Sequence, residues 1–207
     1  MDQTIKKHYG DLFCRHNDSI HAVQWSDKKT QEIRFKILLE SVLEKKSKIV
    51  DLGCGLGHLY SFLKSEYPEH LESYIGVDFV EEFINTAKSK YCQETNAQFE
   101  VLDVQKDELP RGFDYFLMSG VFFIKTPQIE KEIALTLQKS FEACQKGIAF
   151  NMLSTYVDYQ QDIHYHADPK EIFEYCKKNL TPKVIIRHDY RLKENTIPYE
   201  FTVYLYK

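Results

Sequence analysis

At 207 residues the chain can bury one substantial core without disulfides or metals, and its 43% hydrophobic and 28% charged content is that of an ordinary globular domain. Lysine and arginine number 27 against 31 acidic residues, a net charge of −4 with the basic residues dispersed, which argues against a nucleic-acid partner. No apolar run approaches the roughly 20 residues of a membrane span, and the cysteines Cys14, Cys54, Cys92, Cys144 and Cys176 include no CxxC pair, so neither a disulfide framework nor a cysteine-rich zinc site is expected.

The polar stretch MDQTIKKHYGDLFCRHND lacks the apolar segment of a secretory signal, making a cytoplasmic location the expectation. Residues 28–45 set Phe35, Leu38, Leu39 and Val42 on one helical face, predicting a helical cap or lid over residues 1–45 ahead of a core at 46–207, the two forming a single domain, 1–207. SKIVDLGCG reads as a buried strand broken at glycine, followed by a short helix with Leu59, Phe62 and Leu63 inward. The alternation continues with a strand at Tyr74–Asp78, a helix carrying Val80, Phe83, Ile84, Ala87 and Tyr91, and strands at Gln98–Leu102 and Phe113–Ser119. Ile129, Ile133, Leu137 and Phe141 line a further helix, and Gly147–Leu153 returns as a strand. Asp168, Pro169 and Glu171 have the order of a capped helix start. Lys183–Arg187 and Glu200–Tyr206 are β-branched and aromatic, predicting an antiparallel hairpin beside a mostly parallel sheet.

The segment Ile49-Val50-Asp51-Leu52-Gly53-Cys54-Gly55-Leu56-Gly57-His58 joins an apolar strand, an acid and alternating glycines at a helix start. Glycines there let the backbone turn sharply and lie against a ligand, with amides expected to face it at the carboxyl edge of the sheet. A dinucleotide fingerprint would need its last glycine at position 58, where the chain has His58. The run from Asp51 to Gly57 instead resembles motif I, DxGxGxG, of the class I S-adenosylmethionine-dependent methyltransferases.

That resemblance implies a Rossmann-like three-layer α/β sandwich with a mostly parallel seven-stranded sheet, an antiparallel C-terminal hairpin strand and S-adenosylmethionine as cofactor. It implies that Asp51, Gly53, Cys54, Gly55 and Gly57 form the cofactor turn. Asp78, with Phe79 beside it, ends the second strand where an acid can accept two ribose hydroxyls; a helix cap is the alternative use of that aspartate. Asp103 would take the adenine amino group and the Val104 amide a ring nitrogen, a turn aspartate being the alternative, while Ser119 and Gly120, with Val121, would lie beside the transferable methyl. On the cap, Arg34 or Gln31 would meet the cofactor carboxylate and Trp25 would close the cleft; a surface helix is the alternative.

An oxygen or nitrogen acceptor must lose a proton, and the loop after the fifth strand supplies candidates in Tyr156, Asp158 and His166, with Tyr159 as an aromatic wall. His164 and His166 form an HxH pair with no third metal ligand at a diagnostic spacing, so no metal is expected. Ser119-Gly120-Val121-Phe122 replaces the NPPY-type tetrapeptide of amino-methylating nucleic-acid enzymes, and a paired-glutamate arginine-methylation loop is missing. A small-molecule acceptor of metabolite or sugar type is the expectation. A catalytically silent, S-adenosylmethionine-binding regulatory protein is the alternative.

Overall fold

The computed structural model describes residues 27–40, 42 and 46–207. Helix α1 (Lys28–Leu39) starts at Asp27, whose carboxylate accepts the Thr30 amide at 2.8 Å, a side-chain cap for a donor the helix leaves open. The expected extension to residue 45 does not occur. The Glu40 amide turns back onto the Ile37 carbonyl in a tighter final turn, and Val42 is buried beyond the helix end. Trp25 and the cap residues before Asp27 lie outside the described residues.

The core follows as β1 (Ser47–Leu52), α2 (His58–Glu66), β2 (Leu71–Asp78), α3 (Glu81–Lys90), β3 (Ala97–Val101), β4 (Tyr115–Met118), α4 (Ile129–Ala143), β5 (Gly147–Ser154), β6 (His166–Ala167), α5 (Pro169–Asn179), β7 (Val184–Arg187) and β8 (Glu200–Tyr206). The sheet runs β3-β2-β1-β4-β5-β8-β7. Strands β1 to β5 pair in parallel, and β8 is antiparallel to both β5 and β7. The terminal hairpin therefore forms as expected. The two-residue β6 was not foreseen; it extends the end of β5 in parallel, pairing Leu153 with His166.

Strand alternation assigns the two faces. Ile49, Tyr74, Phe99, Leu117 and Ala149 pack with α1, α2 and α3, while Val50, Ile75, Val77, Phe116 and Met118 pack with α4 and α5. β5 is buried along its whole length because both helical layers cover it. At α5 the Asp168 carboxylate accepts the Lys170 amide at 2.8 Å with Pro169 in the first turn. Among the described residues no helix is long and apolar enough to cross a membrane.

Gly57 holds the α2 N-cap in the left-handed region at φ 74°, and a Cβ built there would lie 2.7 Å from Tyr91 Cε2 and 2.9 Å from Phe99 Cε1. Those rings stack on each other at 5.3 Å and Tyr60 packs edge-on against both, so they have little room to yield. Gly57→Ala is expected to destabilise the fold by about 1–3 kcal/mol, read as a lower urea midpoint at unchanged m-value.

Candidate active site

The chain leaves β1 toward β2 and β4 toward β5, in opposite directions along the sheet, so a crevice opens past the carboxyl ends of β1 and β4. A cavity of about 820 Å³ lies there, within the range of small-molecule sites. One side is built from Gly53, Cys54, Gly55, Asp78, Phe79 and Val104, the other from Phe122, Phe123, Ile124, Asp158, His164 and His166. Ser119, Gly120 and Val121 stand between them, and Gln31 and Arg34 of α1 also line the space.

The glycine turn differs from its sequence expectation in one respect. The Gly53 and Cys54 amides both donate to the Val77 carbonyl, at 2.8 and 3.1 Å, the Gly55 amide donates to Asp78 Oδ2 at 2.9 Å, and the Gly57 amide to the Cys54 carbonyl at 3.0 Å. These donors are taken by acceptors of the turn itself and of β2 instead of facing a ligand. The turn contributes space: Gly53 has φ 78°, and a Cβ on it would meet Val121 Cγ2 at 2.7 Å. Gly57 does not reach the cavity wall and serves the aromatic packing described above.

With the amides of Gly53, Cys54, Gly55 and Gly57 occupied, the turn offers little to an anion, and two buried acids, Asp51 and Asp78, stand on this side. Burial pushes the Asp78 carboxyl up to about 6, against the stabilising amides of Val80 and Gly55. Burial likewise raises Asp51 to about 7, opposed by the Tyr74 hydroxyl at 2.5 Å and reinforced by the charge of Asp78. Burial also pushes the Cys54 thiol well up, so it remains a neutral wall residue.

Other expected residues divide. Val104 lines the cavity, but Asp103 does not: its Oδ1 accepts the Gln105 amide at 3.0 Å and Oδ2 lies 3.4 Å from Lys106 Nζ, the geometry of a turn aspartate. Asp158 and His166 line the opposite side, whereas Tyr156 is 59% exposed, outside the wall, with its ring 6.2 Å from that of His188. The carboxylate that Arg34 meets is Glu200, through Nε at 3.0 and 2.9 Å and a further bond from Nη2. Glu200 and its neighbour Asn151 were not anticipated. The only hint in the sequence is a glutamate among apolar residues at the start of β8, and its partner lies 166 residues away. His58 also reaches the cavity, its Nδ1 3.3 Å from Gln31 Nε2. Among the described residues no cluster of three or more potential ligands could hold a metal.

Residues 43–197 match a family model described as a methyltransferase domain. The chain belongs to the methyltransferase family. Its sheet order and glycine turn make it a class I, S-adenosylmethionine-dependent member. A provisionally named methyltransferase of Mycobacterium tuberculosis is 32% identical over 155 residues, 72% of this chain and 90% of that protein. A malonyl-[acyl-carrier protein] O-methyltransferase of Acetivibrio thermocellus is 29% identical over 97 residues, 45% of this chain and 33% of that protein. Among solved structures, the magnesium protoporphyrin IX methyltransferase of Synechocystis PCC 6803 with bound S-adenosylhomocysteine superposes at TM-score 0.66 with 14% identity, covering the whole of both chains. An S-adenosylmethionine-dependent methyltransferase of Mesorhizobium loti superposes at 0.63 with 15% identity, over 86% of this chain and 98% of that one.

The raised acids have a linkage consequence for the ligand-free methyltransferase. Between the ordinary carboxyl range and the raised values, the folded state holds protons that the unfolded chain has released, so this contribution to stability falls as pH rises. From about pH 4 the wild type is expected to lose up to about 1.4 kcal/mol per pH unit for each carboxyl, until about pH 6 for Asp78 and about pH 7 for Asp51. Urea titrations of Asp51→Asn are expected to give a flatter profile over that interval, and an unchanged slope would remove Asp51 from this role.

Proposed function

We propose that the protein transfers the methyl group of S-adenosylmethionine to an oxygen or nitrogen of a small molecule held on the β4–β6 side of the cavity. The observation that carries this reading is the contrast across the cavity: an acidic side whose turn amides are already occupied, facing a side that presents an imidazole with a free base nitrogen. A dinucleotide pyrophosphate would want open amides at the turn, whereas a cationic sulfonium is favoured by Asp51 and Asp78. S-adenosylmethionine supplies an electrophilic methyl on that sulfonium.

Asp78 would hold the ribose hydroxyls with the lone pairs that Gly55 and Val80 leave open, and Phe79 would wall the sugar. Gly53, Cys54 and Gly55 would admit the ligand close to the backbone, and Ser119 and Gly120 would border the methyl. Val104 would bound the adenine, with Asp103 shaping the turn that presents it. Arg34 would border the amino-acid end while engaged with Glu200.

His166 is the general base of this reading. Its Nδ1 lies 2.8 Å from the Ser154 carbonyl, which can only accept, so Nδ1 carries the proton and Nε2 of the neutral ring keeps its lone pair. Asp158 at the rim would orient the acceptor. Tyr156, exposed beside His188, has no part in it. Walls contributed by Phe122, Phe123, Ile124, Tyr159 and Tyr199 suit a partly apolar acceptor, and the relative named as an O-methyltransferase supports an oxygen nucleophile.

The test is S-adenosylhomocysteine release across a panel of hydroxyl- and amine-bearing metabolites. Product with at least one acceptor is expected; cofactor binding without product across the panel would instead favour the silent binding protein. With an active acceptor in hand, His166→Ala is expected to lower kcat about 100-fold while calorimetry gives an S-adenosylhomocysteine affinity within about twofold of wild type.

A further inference from the structure

Asn151 stands on β5 one residue past Phe150, the last residue that pairs with β4. Its Oδ1 accepts the Gly120 amide at 2.7 Å, and its Nδ2 donates to Glu200 Oε2 at 3.0 Å. Glu200 pairs with Leu153 across the β5–β8 ladder, so it reaches Asn151 diagonally along one face. The Glu200 carboxylate receives Arg34 from α1, and the two residues are 1% and 6% exposed. Because a carboxylate only accepts, the amide group of Asn151 must face Glu200, which leaves its oxygen, and no other atom, for Gly120. A chain of side chains thus runs from the α1 helix to a single peptide at the cavity wall.

That peptide has a definite orientation. The chain has no cis peptide bond among the described residues, so the Ser119 carbonyl points away from the Gly120 amide; with the amide aimed at β5, the carbonyl is turned toward β1 and the Gly53 turn. Among the described residues nothing donates to the Ser119 carbonyl, and the Ser119 hydroxyl is buried with no hydrogen-bond partner. A buried hydroxyl without a partner is costly and rare, and Ser119 lines the ligand cavity. A primary ammonium is the complementary group, with three donors and a positive charge.

We propose that Asn151, fixed by the Arg34–Glu200 pair, is a positioning residue that locks the Ser119–Gly120 peptide so that Ser119 receives the ammonium of the cofactor's amino-acid end. Arg34 acts through Glu200 and not on the ligand carboxylate. The inference rests on reading the cavity as an S-adenosylmethionine site.

Calorimetry on the full chain with three ligands tests it: S-adenosylhomocysteine, its decarboxylated analogue that keeps the amine, and 5′-methylthioadenosine, which lacks the amino-acid end. Asn151→Ala is expected to weaken the two amine-bearing ligands about tenfold or more and to leave methylthioadenosine within about twofold. Equal weakening of all three ligands would mean a merely structural role and would overturn the proposal, as would unchanged binding of the decarboxylated analogue. Ser119→Ala, which deletes only the hydroxyl, provides the same comparison if Asn151→Ala does not fold, with an expected loss of about fivefold confined to the amine-bearing pair. A wild-type protein that binds none of the three would sink the cofactor reading itself, a result distinct from any of these.

Discussion

The Val77 carbonyl takes two amides, those of Gly53 and Cys54, and this shared bond sets the character of the site. It folds the chain leaving β1 back against the end of β2, which is possible only because Gly53 adopts a left-handed backbone with Val121 where a side chain would be. Once those donors are internal, and the Gly55 amide is held by Asp78, the turn cannot act as an anion nest. What remains at the surface of the cavity are the carboxyls of Asp78 and Asp51, which burial makes reluctant to ionise alone and which a cationic ligand would help to ionise.

A second constraint fixes the opposite wall. A guanidinium and a carboxylate removed from water must answer each other closely, because either one alone would be a buried unpaired charge. Arg34 and Glu200 do so, and α1 is consequently tied to β8 of the sheet. The Tyr204 hydroxyl adds a bond to the Ile37 carbonyl at 2.6 Å, and Phe35 packs on Phe62. The described part of the expected lid is therefore a built wall of the cavity, with its polar half over the site and its apolar half over α2.

The elements whose burial repeats every second or every third to fourth residue were legible in the sequence, because one face of each is decided locally. Ile129, Ile133, Leu137 and Phe141 are all inside, and Asp168 caps as its neighbours suggested. The glycine turn was recognisable too, but not its hydrogen bonding, since amide partners depend on where β2 ends relative to β1. Arg34 shows the limit most clearly. A helix pattern tells that position 34 faces inward, yet the carboxylate it finds comes from β8, and only the antiparallel return of that strand brings Glu200 there. Asp103 and Tyr156 failed to reach the wall for local reasons that the sequence left open, a turn closed on Gln105 and a loop side chain leaning on His188.

The acceptor side owes its shape to a strap. The Lys125 amide bonds to the Ile163 carbonyl and the Tyr165 amide to the Phe123 carbonyl, each at 2.9 Å, so the segment after β4 is tied antiparallel to the segment before β6. In that extended stretch a spacing of two residues turns His164 and His166 toward the same cavity. Burial, with His166 beside it, holds His164 below the ordinary histidine range. In the proposed reaction His166 would gain a proton as the methyl donor loses its charge. One positive charge would cross the cavity without changing its total, so the buried carboxylates that favour the donor need not be rearranged for turnover.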